Sequence, residues 1–260
     1  MSKFEYKKSL GQNFIKDNNI IDKIVKLADV DKETFVIEVG PGAGSLSKVI
    51  VPLAGFSLLY EIDLRLKDIL NEVLKENRNY EIVFNDVLKQ DVKNDIKKYD
   101  YKKVYVVANL PYYITTPIIT KLIDEVTPDK IVIMIQDEVA DRLCAQVGSR
   151  DYGMITVLLS SRYNIKKSFK VSRNCFEPVP NVDSAVICLE KKDVNIEIDM
   201  KKFEKFIKDA FQYKRKNLRN NLRNYDLDKI DKILNQHGLS ISSRAEDVSI
   251  DQFIDIFKNI

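Results

Sequence analysis

From Phe35 to Glu190 the chain alternates short β-branched apolar runs with segments of helical periodicity, and few folds accept that order. Residues 36–39, 57–60, 81–84, 104–108 and 131–135 read as buried strands, each bounded by polar residues or glycine. Between the second and third, Leu66, Ile69, Leu70, Val73 and Leu74 fall at i, i+3, i+4, i+7 and i+8, one face of a helix. Strands that alternate with helices require right-handed crossovers and predict an α/β fold with a mainly parallel, doubly wound sheet. Residues 154–163 and 184–189 read as two later strands with no full helix between them, an antiparallel finish to the sheet. After about Lys191 the pattern changes. Phe203, Phe206, Ile207, Ala210 and Phe211 mark one helix face, and Ile230, Ile233 and Leu234 mark another that stops at Gly238. Ser249 and Gln252 form a capping-box pair that opens a last helix with Phe253, Ile254 and Phe257 inward. The expected division is therefore 1–191 for the α/β domain and 192–260 for a small all-helical one.

Composition narrows the function classes. With 45% hydrophobic and 31% charged residues in 260, the chain can bury a sizeable core. No run approaches the ~18 apolar residues of a membrane span, and the first residues lack an apolar signal core, so a soluble cytoplasmic protein is expected. Three dispersed cysteines, Cys144, Cys175 and Cys188, form no evident disulfide framework. With His237 the only histidine and no Cys-x-x-Cys, neither a metal site nor a histidine-based triad is expected. The formal net charge is only +3, but 201–223 holds nine basic residues against Glu204 and Asp209. Lys214, Arg215, Lys216, Arg219 and Arg223 are its densest part, a candidate surface for a polyanion such as RNA; the alternative is a solvated helix face.

Four strand ends carry candidate chemistry. Glu38-Val39-Gly40-Pro41-Gly42-Ala43-Gly44 closes the first strand, where glycines allow a sharp turn and close approach of a ligand. A dinucleotide fingerprint continued from Gly40 and Gly42 requires glycine at 45, which is Ser45; the spacing instead suits a cofactor without a pyrophosphate. Glu61 closes the second strand, 21 residues after Gly40, placed to accept ribose hydroxyls. Asp86 follows the third, where it can accept from an exocyclic adenine amine. Asn109-Leu110-Pro111-Tyr112 follows the fourth and resembles the catalytic tetrapeptide of methyltransferases that act on planar amide-like or aniline-like nitrogens, among them adenine N6. An adenine N6 lone pair is delocalised into its ring. Two acceptors aimed at the amine hydrogens, the Asn109 side-chain oxygen and the Leu110 carbonyl, would favour a pyramidal, nucleophilic nitrogen. Pro111 stiffens the turn, and Tyr112 offers a ring for a flipped base. Phe176, ahead of Pro178 and Pro180, is the expected second ring of that sandwich, and the patterned segment 8–15 precedes the first helix.

Together these segments, with Arg215-Lys216-Asn217-Leu218-Arg219-Asn220-Asn221, resemble the bacterial small-subunit (16S) ribosomal RNA adenine N6,N6-dimethyltransferase family over nearly the whole chain. The resemblance implies a Rossmann-like class I methyltransferase fold and S-adenosylmethionine as methyl donor. It also implies dimethylation of two adjacent adenosines near the 3′ end of 16S rRNA within an immature 30S subunit, late in its assembly. By the same resemblance Asn13 and the Ile15 backbone should contact the cofactor with Gly40, Gly42, Glu61, Asp86 and Asn109, and the enzyme should act as a monomer. A large-subunit rRNA adenine methyltransferase shares the catalytic core but differs at 215–221. A non-catalytic ribosome assembly factor would not need an intact Asn109 or glycine loop.

Overall fold

The computed structural model describes residues 11–193 and 198–260. Two compact units divide it: residues 1–140 with 166–191, and 141–165 with 192–260. The first is built on strands β1 (Phe14–Ile15), β2 (Thr34–Val39), β3 (Phe56–Glu61), β4 (Tyr80–Phe84), β5 (Lys103–Asn109), β6 (Lys130–Gln136), β7 (Tyr163–Val171), β8 (Phe176–Glu177) and β9 (Ser184–Lys191). Seven of them form one sheet in the order β4-β3-β2-β5-β6-β9-β7, and β1 pairs with β8 in a separate two-stranded ribbon. The pairs β2–β3, β2–β5, β3–β4 and β5–β6 are parallel, while β9 runs antiparallel to β6. This is a Rossmann-like sheet whose strand order reverses between β2 and β5.

Each central strand is buried on both faces, which is why these runs are continuously apolar instead of alternating: Phe35, Val36 and Ile37 of β2 and Ile131, Val132, Ile133, Met134 and Ile135 of β6 are at most 1% exposed. The stripe after β3 forms the helix Lys67–Leu74 with Leu70 and Leu74 fully buried; its Val73 is partly exposed instead.

Two sequence expectations change here. Residues 154–163 are not a strand: Met154–Ser160 is a helix, and the strand is β7, which begins at Tyr163. A seven-residue segment with five apolar residues is too short for its periodicity to separate a buried strand from a buried helix turn. The true strand was masked by Lys166, Lys167 and Lys170, charges that suit the end position of β7 in the sheet. The boundary also moves. The stretch 141–165 clusters with the helices, because Tyr152 and Val157 lie in one core with Phe203, Phe206, Leu218 and Phe253. The Tyr152 hydroxyl donates to the Val248 carbonyl at 3.2 Å, and the Gly148 amide to Glu246 at 2.8 Å. In the helices themselves Phe203, Phe206, Ile207 and Ala210 are buried as their spacing predicts, and Ser249 and Gln252 close the capping box.

Candidate active site

The carboxyl ends of β2, β3, β4 and β5 open on one cleft. The loop after β2 places Gly40, Gly42 and Gly44 at positive φ (73°, 58° and 81°), a conformation that costs other residues free energy. At Gly42 a Cβ would stand 2.4 Å from the Phe14 ring, so only glycine lets the two segments touch.

Glu61 is buried and its carboxylate accepts from the amides of Gly42 (3.0 Å) and Asp63 (2.9 Å). Burial pushes its carboxyl above the ordinary range, while the amides of Asp63, Gly42 and Ile62 pull it back. Those amides fix the carboxylate at the cleft wall, and acceptor capacity remains on it. Glu38 lies deeper, 2% exposed, and accepts from the Ser47 hydroxyl at 2.6 Å. Burial pushes Glu38 up to about 8, against the Ser47 hydrogen bond and helped by the nearby Glu61 charge. Asp86 caps the turn Val87–Lys89 through Oδ1, which accepts from the Leu88 amide at 3.0 Å.

The fourth strand end is braced on two sides. Asn109 Nδ2 donates to the carbonyl of Asn13 at 2.9 Å, which leaves Oδ1 as the side chain's acceptor. The Leu110 amide donates to Met134 (3.1 Å), and the Pro111 carbonyl is taken by Thr115 Oγ1 (3.1 Å), so of the two carbonyls the Leu110 one is left to accept. The Tyr112 hydroxyl shares a 2.5 Å hydrogen bond with Ser184 Oγ, and burial raises its phenol above the usual value. Tyr113, 57% exposed, lines the cleft beside it.

These residues suit a nucleoside: carboxyl groups at two strand ends, a third beneath the glycine loop, and glycine where the ligand must come close. The family model for ribosomal RNA adenine dimethylase matches residues 3–260. The chain belongs to the ribosomal RNA adenine dimethylase family. It is accordingly a methyltransferase that uses S-adenosylmethionine and takes ribosomal RNA as its substrate. It is 41% identical to a ribosomal RNA small subunit methyltransferase A of Streptococcus pneumoniae (strain P1031), covering 96% of this chain and 90% of that one. The relative of the same name from Staphylococcus haemolyticus (strain JCSC1435) is 40% identical, over 98% and 90%. Among solved structures, a dimethyladenosine transferase from Plasmodium falciparum superposes with a TM-score of 0.79 at 24% identity, covering 94% and 95%. The 23S rRNA methyltransferase ErmE gives 0.77 at 25%, over 95% and 98%.

Of the residues expected from sequence in this dimethylase, Asn13, Ile15, Gly40, Gly42, Glu61, Asp86, Asn109, Leu110, Pro111 and Tyr112 all line the one cleft. Phe176 does not. It is fully buried, packed with Ile15, Ile20, Val171 and Val186, and its strand β8 is tied to β1. The first part of segment 8–15 lies outside the described residues.

Sequence reasoning missed Gln12, whose amide donates to Asp63 at 2.8 Å, and Ser184, the partner of Tyr112. Neither belongs to a spacing motif; only the fold brings them across 51 and 72 residues.

In the helical unit Lys214, Arg215, Lys216, Arg219 and Arg223 are all exposed. Lys214 Nζ donates to the Arg150 carbonyl at 3.0 Å, and the amides of Leu218 and Arg219 donate to Ser243 and Ile241 at 2.9 Å. The fold thus adds Arg150 and Arg244, from distant stretches of sequence, to the borders of the basic segment. Tyr213 stands 57% exposed next to Lys214.

Proposed function

We propose that this dimethylase transfers methyl groups to N6 of two adjacent adenosines in the loop of the 3′-terminal hairpin of 16S rRNA, within an immature 30S subunit. The commitment of the Asn109 side chain carries the proposal. With Nδ2 given to Asn13, Oδ1 and the Leu110 carbonyl present two acceptors and no donor, the pattern an amine with two hydrogens demands. Bound in the cleft, S-adenosylmethionine supplies an electrophilic methyl group on a sulfonium. Glu61 accepts its ribose hydroxyls, Asp86 its adenine amine, and Glu38 faces its ammonium end, with Asn13, Ile15, Gly40 and Gly42 closing around it. Pro111 holds the turn. Tyr112 stacks on the flipped base, its ring orientation held by Ser184. As nitrogen gains positive charge its proton becomes acidic, and Asn109 Oδ1 and the Leu110 carbonyl are the atoms that first hold it on its way to solvent.

The unit built on β1–β9 acts as the methyltransferase domain and the helical unit as the RNA-recognition domain. There Lys214, Arg215, Lys216, Arg219 and Arg223 meet phosphates, with Arg150 at their border. The small-subunit assignment is supported by relatives of that name at 40–41% identity, and by the segment 215–221. The likeness to ErmE, at 25% identity, favours the second reading, methylation of 23S rRNA. Cytoplasmic action as a monomer, late in small-subunit assembly, completes the proposal; no helix among the described residues is long and apolar enough to cross a membrane.

The test is mass spectrometry of unmethylated 16S and 23S rRNA, and of immature small subunits, after incubation with the protein and isotopically labelled S-adenosylmethionine. The expected product carries two labelled methyls on each of two neighbouring 16S adenosines. Label confined to 23S rRNA would replace this reading with the second.

A further inference from the structure

We infer that Gln12 and Asp63 form a latch that holds the segment 11–15 over the cleft and, through it, keeps Asn109 in its accepting orientation. The inference rests on the methyl-transfer reading above. Four consecutive residues of this segment each engage a different part of the site. Gln12 Nε2 donates to Asp63 Oδ2 at 2.8 Å, just after β3. The Asn13 carbonyl accepts from Asn109 Nδ2 at 2.9 Å, at the end of β5. Phe14 lies against Gly42, so closely that a Cβ there would collide with its ring. Ile15 pairs with Phe176 of β8. The last two contacts hold the segment from its far side, by packing and by the ladder to β8. The Gln12 contact joins the neighbouring residue to a side chain that is itself immobile.

Asp63 is 4% exposed and takes four hydrogen bonds from Arg65, two of them from a shared Nε, besides the one from Gln12. The Arg65 guanidinium above all, with Gln12, holds its carboxyl down at about 2, so the acceptor is a carboxylate at every working pH. Its backbone amide donates to Glu61, which joins the latch to the carboxylate expected to hold the ribose. If the latch opens, the Asn13 carbonyl is no longer fixed against Asn109. The Asn109 amide can then rotate and present N–H where the adenine amine also presents N–H, a repulsive pairing of two donors. Gln12 and Asp63 are therefore positioning residues: they touch no reacting atom and act through Asn109.

The experiment uses the full-length protein with Gln12→Ala and Gln12→Glu, and immature small subunits as substrate. Without any cofactor, amide hydrogen exchange over residues 12–16 should quicken in Gln12→Ala. At saturating cofactor and substrate its kcat should fall roughly tenfold, the scale set by one hydrogen bond to a charged group. Gln12→Glu supplies the readout that a merely structural role would not move. Among the described residues the charged groups shown around position 12 are Asp63 and Arg65, with Glu61 behind them. A glutamate there is held protonated by Asp63 at low pH, when it can donate, and repels Asp63 once it ionises. The kcat of Gln12→Glu relative to wild type should therefore recover as pH falls from 8 toward 5.5. Unchanged exchange in Gln12→Ala overturns the latch. So does faster exchange with unaltered kcat, or a Gln12→Glu profile parallel to wild type. An Asn109→Ala protein that still methylates at the wild-type rate would instead remove the methyl-transfer reading and leave the exchange result standing.

Discussion

The two units of the molecule hold their candidate binding groups in opposite physical settings. In the β-sheet unit the working groups are buried or half-buried and already spent on the fold: Glu61 on two amides, Asn109 on a carbonyl, Tyr112 on a hydroxyl. In the helical unit the basic residues from Lys214 to Arg223 are exposed, and Lys214 alone among them has a side-chain bond to a distant part of the chain, the Arg150 carbonyl. A group desolvated and oriented in advance acts strongly and one at a time. A cation in water acts weakly, adds to its neighbours and is screened by salt. Substitutions should therefore be steep and specific in the first region, shallow and cumulative in the second.

The steepest should be Asn109→Ala. Loss of a preorganised acceptor typically slows chemistry by roughly 10²–10³-fold. Affinity for immature subunits should be unchanged, because Asn109 belongs to the cleft and not to the basic surface. Single-turnover methylation within threefold of wild type would break the contrast at its strongest point.

Next comes Glu61→Ala, which removes the ribose acceptor and also strands the amides of Gly42 and Asp63. Cofactor binding should weaken by about 1–3 kcal/mol, as expected when polar partners are left unpaired. Calorimetry reads this directly, and an unchanged affinity would remove Glu61 from the cofactor site.

Neutralising Lys214, Arg215, Lys216 and Arg219 together tests the other region. Each lost phosphate contact should make the slope of log affinity against log salt shallower by up to ~0.7–0.9, with cofactor affinity unmoved. A quadruple variant with the wild-type slope would mean that the cluster is only a solvated face.

The smallest effect concerns Glu38. Its carboxyl titrates near 8 in the folded protein against 4.5 in an unconstrained chain. A raised folded value means that its contribution to stability is full below about 4.5 and is lost as pH rises through 8. Glu38→Gln should therefore flatten the decline in Tm between pH 6 and 9 by a few degrees, measured by calorimetry without cofactor. Parallel curves for the two proteins would show that burial does not set this residue's charge.

How much of this was legible in the chain follows from the range of the forces involved. Strands β2, β3 and β6 were readable because both faces of each are largely buried, so their apolar runs are nearly uninterrupted. The helix Met154–Ser160 was misread because a short segment with five apolar residues in seven satisfies either geometry, and only its packing against Phe203 and its neighbours chooses. The cleft residues Gly40, Glu61, Asp86 and Asn109 were legible because a parallel sheet delivers successive strand ends to the same edge, so linear order predicts spatial convergence. The burial of Phe176 was not legible, for the converse reason. Which way a ring turns, into a core or into a cleft, is decided by what lies on either side of it.

The sequence by itself determined the alternating α/β order, the chemistry of four strand ends and the basic segment after residue 201, all properties carried by neighbouring residues or by simple periodicity. Only the tertiary structure decided that 141–165 packs with the helices, that Phe176 is core, and that Asn109 turns its N–H toward Asn13. Those outcomes depend on contacts between residues far apart in the chain, Asn109 and Asn13 standing 96 positions apart, and no local pattern encodes a hydrogen bond whose partner arrives only on folding.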